Sequence, residues 1–367
     1  MPNNQESISN RVDTLVRPEI RGLSAYKVQD AENLIKLDAM ENPYHWPQGM
    51  VEEWLTILQN VELNRYPSPE AEELKQQLRR VMGVQDHYQL VLGNGSDELI
   101  QIIAMAVAGT KRGILAVEPS FVMYQLIAQV LGIPYVGVDL TENFELDLEA
   151  LLNKIEIENP AVVFLAQPNN PTGNLFGEEK VRRIIENCSG LVVLDEAYLA
   201  FTESDLLHLL DDYDNLVIMR TLSKVGLAGL RLGILIAQKE WAEQFNKVRL
   251  PYNISVLSQV SAVFALQHYD VLSQQTDLLR QHRSHLFQAL TQFEQLKVWP
   301  SEANFLLVRV KQQSAAALHS QLKEHGILVK LLDGVHPLLE NCLRINVSSE
   351  PENTALLSAL SKLLPAK

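Results

Sequence analysis

Short apolar runs alternate with polar or glycine-rich turns through the middle of the chain. The runs are GILAVEP at 113–119, AVVFLAQP at 161–168, LVVLDEAY at 191–198, NLVIMRTLSK at 215–224 and RLGILIA at 231–237. Helical spacing appears between several of them, as at 177–187 with its acidic start. This alternation predicts a mainly parallel sheet covered by helices on both faces. Upstream, SPEAEELKQQLRRVM predicts a helix over about 69–82, with acids in its first turn and Arg79 and Arg80 in its last, before Gly83. Beyond about 255 the pattern changes. Helices are expected at 258–268, 276–293, 314–325 and from 352 onward, with strands at 304–310, 327–330 and 342–347. Residues 1 to about 45 are polar and read as irregular, punctuated by Pro18, Gly22 and Pro43. The expected fold class is therefore α/β. A large domain with a mainly parallel sheet spans 46–255. A smaller α+β domain spans 256–367 with its long connecting helix, and 1–45 packs with it.

Composition narrows the function. The chain has 367 residues, 47% hydrophobic and 21% charged, enough for a large core. Its formal net charge of −14 repels nucleic acid and anionic lipid, so neither is expected as a partner. A small anionic substrate stays possible, because a local basic pocket can sit inside an acidic envelope. Cys188 and Cys342 are far apart and form no metal or redox motif. The opening MPNNQESISNRVD lacks the basic start and apolar core of a signal peptide, and no apolar stretch is long enough to span a bilayer. A cytoplasmic protein is expected. His282 and His285 share a helix face by their spacing and read as solvated, without a third metal ligand.

In open parallel sheets, ligands sit beyond the carboxyl ends of the strands. The polar residues just after the apolar runs are therefore the candidates: Gly95, Ser96 and Asp97, then Asn170, then Asp195 and Tyr198, then Ser223 and Lys224, with Arg231 seven residues on. Each alone has an ordinary explanation as a cap, a turn or a surface residue. The glycines at 93 and 95 are not a dinucleotide fingerprint, because Glu98 stands where a third glycine belongs. Their joint occurrence, in this order and each at a strand end, points to chemistry.

That order resembles the aminotransferases that depend on pyridoxal 5′-phosphate (PLP) and are related to aspartate aminotransferase. The resemblance runs from about Leu37 to Val347 and is strongest at GNGSDE (93–98), PNNPTG (168–173), VLDEAY (193–198) and TLSKVGLAGLRLG (221–233). LDAMENPY (37–44), NRYP (64–67) and CLRINV (342–347) look like the histidinol-phosphate branch in particular. The resemblance implies Lys224 as the Schiff-base lysine and Asp195 as partner of the pyridine nitrogen. It gives Asn170 and Tyr198 to the 3′ oxygen, and Phe121 to the stack on the ring. Gly95, Ser96, Asp97, Ser223 and Arg231 would receive the cofactor phosphate, the first three through backbone N–H groups at a helix start. Lys224-Val225-Gly226 is one residue shorter than in many relatives, and Gly226 and Gly229 leave the loop room to adjust.

The same resemblance makes Arg344 the grip on the anionic end of the substrate, with Tyr26, Asn304 and Lys330 as further contacts. Lys330 stands where some relatives carry arginine. It also implies a homodimer in which Tyr66 reaches the neighbouring subunit's cofactor phosphate. The expected activity is transamination of histidinol phosphate with 2-oxoglutarate and glutamate. Transamination of aromatic amino acids, decarboxylation of a phosphorylated amino acid, and a PLP-binding regulator are the alternatives. The regulator usually needs a fused DNA-binding module, for which there is no basic segment.

Overall fold

The computed structural model describes residues 8–25 and 29–364. Seven strands form the larger sheet: β2 (Gln89–Asn94), β3 (Ile114–Glu118), β4 (Tyr135–Asp139), β5 (Val162–Ala166), β6 (Leu191–Asp195), β7 (Leu216–Thr221) and β8 (Leu232–Ala237). Their spatial order is β2-β8-β7-β6-β5-β3-β4. The β4-β3-β5-β6-β7 pairs are parallel, and β8 runs antiparallel to both of its neighbours. The chain is thus an α/β protein with a mainly parallel sheet.

The apolar runs are continuous because both faces are covered. Val163 and Leu165 of β5 enter one core layer, with Val181, Ile184 and Ile185 of the helix Glu178–Asn187. Val162 and Phe164 enter the other, with Leu99, Ile100 and Ile103 of the helix Ser96–Val107. This is the two-residue alternation of a strand read out on two faces. Every residue of β6, through Asp195, is buried.

A second sheet of five strands has the order β1-β11-β12-β10-β9, with β1 at Ile35–Leu37, β9 at Leu296–Val298, β10 at Phe305–Val310, β11 at Ile327–Leu331 and β12 at Cys342–Asn346. Only the β1–β11 pair is parallel, Ile35 lying opposite Ile327. Residues near the N-terminus thereby enter a sheet built otherwise from the last quarter of the chain. Among the described residues, no helix is long and apolar enough to cross a membrane.

Three local expectations are corrected. The first 45 residues are not wholly irregular, since helices form at Ile8–Leu15 and Pro18–Arg21. Pro18 stands in the first turn, where its missing N–H costs nothing, so it opens a helix instead of breaking one. The expected helix at 276–293 is the 22-residue helix Tyr269–Leu290. It starts directly after His268, with Asp270 in its first turn. His282 is not on a solvated face: it is half-buried, with Nδ1 3.0 Å from the Ser348 carbonyl and 3.4 Å from the Tyr44 hydroxyl.

Candidate functional site

Because β8 runs against its neighbours, its first residues meet the carboxyl ends of β5, β6 and β7 on one edge of the sheet. A cleft opens there. It is lined by Ser96 and Asp97 after β2, Phe121 after β3, Asn170 after β5 and Asp195 at the end of β6. Tyr198, Ser223, Lys224 and Arg231 complete the wall. Residues spread over more than a hundred positions are thus brought together by strand order.

Asp195 is fully enclosed at the end of its strand. Its Oδ1 accepts a hydrogen bond from Ala197 N at 3.1 Å, and its Oδ2 accepts one from the Tyr124 hydroxyl at 2.7 Å. Burial pushes the carboxyl up to about 6, against the pull of those two donors. The neighbouring Glu196 serves elsewhere. It is buried with Arg220, 2.8 Å from its Nε, and accepts from Leu206 N, so it braces the loop behind the sheet.

Lys224 lies in a wide π-type turn, Ser223–Leu227, that begins two residues after β7. Gly226 in this turn has φ 108°, a conformation that side chains rarely adopt, and a Cβ there would stand 3.0 Å from Asn42 Nδ2. The short loop is closed by glycine. Lys224 Nζ sits 5.6 Å from the centroid of the Tyr198 ring. Burial, then the Arg344 guanidinium, lowers its pKa to about 8. Burial also raises the Tyr198 phenol above its ordinary value, so it stays protonated at neutral pH.

One end of the cleft gathers groups whose chemistry suits an anion. Gly95 caps the helix Ser96–Val107 with φ 84°, and Ser96 and Asp97 at that helix start line the cleft. A Cβ on Gly95 would stand 2.5 Å from Arg231 Nη2, so the glycine is what lets the guanidinium close over the helix end. Arg231 is half-exposed, with the Asp97 carboxylate 3.5 Å from Nη2. The Ser223 hydroxyl is 3.0 Å from that of Thr221 on the same edge. Backbone amides, a hydroxyl and a guanidinium at one end, a buried carboxylate beside an aromatic ring, and a low-pKa amine form a donor set that suits PLP.

The second sheet closes the cleft from the other side. Arg344 of β12 reaches across, with Nη1 2.6 Å from Asn170 Oδ1 and Nη2 2.8 Å from the Asp38 carbonyl. Asn304 is buried and donates to the carbonyl of Met40, which itself lines the cleft. Lys330 stands opposite Arg344 across the β11–β12 pair. Tyr66 lies outside the cleft, 81% exposed and stacked on Tyr252 at 4.6 Å. Tyr26 lies outside the described residues. Sequence reasoning missed Tyr124 and Met40. The available signal for Tyr124 was its place three residues after Phe121, on the same helical face as Ile127 and Ala128.

Among the described residues, one trio of side chains is close enough to hold a metal ion: Glu118, Asp139 and His336. His336 Nδ1 accepts from Leu338 N, which leaves the hydrogen on Nε2, 3.3 Å from Asp139 Oδ1. That arrangement is a hydrogen bond between the loop before β12 and the end of β4, with no nitrogen lone pair turned to an ion.

The family profile for aminotransferase class I and II matches residues 32–360. Histidinol-phosphate aminotransferase 2 of Nitrosococcus oceani is 51% identical over 96% of this chain and 98% of its own length. Histidinol-phosphate aminotransferase of Chromobacterium violaceum is 50% identical with the same coverage of both chains. The solved histidinol-phosphate aminotransferase of Sinorhizobium meliloti, in complex with PLP, superposes with a TM-score of 0.84 at 26% identity, over 95% of this chain and 96% of that one. With a family match over most of its length and half its residues shared with two such enzymes, the chain belongs to the class I and II aminotransferases, enzymes that use pyridoxal 5′-phosphate.

Proposed function

We propose that the protein transfers the amino group between histidinol phosphate and 2-oxoglutarate, a step of histidine biosynthesis. The observation that carries the reading is identity of 50–51% over nearly the whole chain to two enzymes named for that substrate. When bound, PLP supplies an electron sink for the bond broken at the substrate carbon that bears nitrogen. The protein's residues do the rest. Lys224 holds the cofactor covalently and, once released, moves a proton at that carbon. Its pKa near 8 supports this, since far more of it is free amine at neutral pH than of an ordinary lysine. Asp195 keeps a proton on the ring nitrogen. Asn170 and Tyr198 donate to the 3′ oxygen, and Phe121 covers the ring face. Ser96, Asp97, Ser223 and Arg231 receive the phosphate, the first two by backbone N–H. The expected Gly95 donor drops out, because its N–H is spent on the Gly93 carbonyl at 2.8 Å.

Arg344 grips the anionic end of the substrate, with Asn304 and Lys330 as further contacts; Tyr26, which lies outside the described residues, is assigned the same role. In this reading residues 46–255 hold the cofactor, and 256–367, with 1–45 against them, bring Arg344 to the cleft. The enzyme works in the cytoplasm. A substrate panel tests the proposal. Histidinol phosphate is expected to show a higher kcat/KM than histidine, phenylalanine or aspartate, with loss of the phosphate ester costing at least about tenfold. If histidinol reacts as well as its phosphate ester, the site has no anion to recognise and the assignment fails.

The active unit in this reading is a homodimer. Tyr66 and Tyr252 stack in solvent, and their near neighbours Leu63 and Leu250 are 71% and 70% exposed, apolar surface that a partner would cover. Tyr66 then reaches the partner's cofactor phosphate. Lys224→Ala and Tyr66→Ala, each impaired alone, are unfolded, mixed and refolded together. A mixed dimer has one intact site, so recovery on the order of a quarter of wild-type activity is expected. No gain, with mixed dimers verified by mass, removes Tyr66 from the neighbouring site.

A further inference from the structure

Tyr124 touches both groups that flank the cofactor ring in the reading above, and nothing in that reading uses it. It lies in the first turn of the helix Met123–Leu131 and is completely buried. Its ring stacks on Phe164 of β5, with centroids 4.6 Å apart and planes within 10°. It meets Phe121 edge-on at 5.7 Å and 87°. Its hydroxyl is 2.7 Å from Asp195 Oδ2. We infer that Tyr124 is a positioning residue for the reaction, whose phenol donates to Asp195 so that the proton shared with the cofactor stays on the ring nitrogen.

The inference rests on the assignment of Asp195 to that nitrogen. A buried tyrosine hydroxyl needs a partner, but any carbonyl would satisfy it. Here it has a carboxylate whose other oxygen already accepts from Ala197 N. Two donors on one carboxylate make it a weaker base. Burial and the neighbouring acid raise the Tyr124 phenol well above its ordinary value, so it remains a donor at any working pH. Two effects therefore oppose each other at Asp195. Enclosure makes the carboxylate more basic and draws the shared proton toward oxygen, and the phenol offsets this and returns the proton to nitrogen. The contact with Phe121 gives the same side chain a second task, to hold the ring that covers the cofactor face.

Tyr124→Phe removes only the hydroxyl and keeps both ring contacts. Holoenzyme is loaded with PLP carrying ¹⁵N in the ring, and the nitrogen resonance is recorded in wild type, Tyr124→Phe, Asp195→Asn and Phe164→Leu. The wild-type signal is expected at the protonated position and the Asp195→Asn signal at the unprotonated one. Tyr124→Phe should fall between them, with kcat lower by about tenfold and KM within about twofold. Phe164→Leu disturbs the stack but keeps the phenol, and should leave the resonance in place. Should Asp195→Asn leave the signal unmoved, the assignment of Asp195 fails and the inference with it. Should Asp195→Asn move it and Tyr124→Phe match wild type, the assignment stands and the role of Tyr124 falls. Equal displacement in Tyr124→Phe and Phe164→Leu would reduce Tyr124 to packing and also overturn the inference.

Discussion

Lys224→Ala is expected to lower turnover by at least about 10⁴-fold while leaving the fold intact, because the variant loses both the covalent attachment and the proton carrier. The side chain is half-buried in the cleft and, among the described residues, belongs to no ion pair, so its removal leaves no partner there stranded. The structure also sets a pH signature. With a pKa near 8, roughly one lysine in ten is a neutral amine at pH 7, against about one in three thousand for an ordinary lysine. Burial is the main cause, and the Arg344 guanidinium adds to it. Only the neutral amine attacks the cofactor aldehyde. The rate at which apoprotein captures PLP should therefore rise with pH and level off above about 8. Arg344→Ala removes a nearby positive charge, so it should shift that profile to higher pH. Borohydride treatment followed by peptide mapping should put the pyridoxyl group on Lys224. A label on any other lysine, or full turnover in Lys224→Ala, ends the assignment.

Much of this site was legible because polar residues at the ends of apolar runs share one edge of a parallel sheet, whatever lies between them. Asp195 and Lys224 were found that way, without knowledge of strand order. The reversal of β8 was not read, since RLGILIA is equally apolar in either direction. The connection held the answer. Only ten residues, 222–231, separate β7 from β8, too few for the helical crossover that a parallel neighbour needs. Tyr124 was hidden for a different reason. Its spacing with Ile127 and Ala128 marks an ordinary buried helix face, and no periodicity tells that the hydroxyl ends on a carboxylate from a strand 71 residues away. The pairing of β1 with β11 is likewise a contact between distant segments, invisible in either one alone.

Asp195→Asn is expected to separate catalysis from stability, lowering kcat by about 10³-fold while making the apoprotein more stable at neutral pH. The loss of activity follows from the cofactor ring. An amide holds no negative charge, so the ring nitrogen loses the partner that keeps it protonated and the electron sink weakens. The gain in stability follows from linkage. The Asp195 pKa rises from 3.8 to about 6 on folding, so the folded apoprotein binds this proton more tightly than the unfolded chain. Below pH 4 the carboxyl is neutral in both states and carries no penalty. Between about pH 4 and 6 the unfolded chain releases the proton first, and stability falls as pH rises. Above 6 the penalty is constant, at most about 3 kcal/mol. Asparagine avoids it and can keep both local contacts. Its oxygen accepts from Ala197 N, and its amide nitrogen donates to the Tyr124 hydroxyl, which can act as an acceptor. Urea unfolding of the two apoproteins checks the sign: Asp195→Asn should gain stability over wild type from pH 4 to 6, then hold a fixed advantage. Equal stability of the two at pH 7, or near-normal turnover in the variant, would make Asp195 an ordinary strand-end residue.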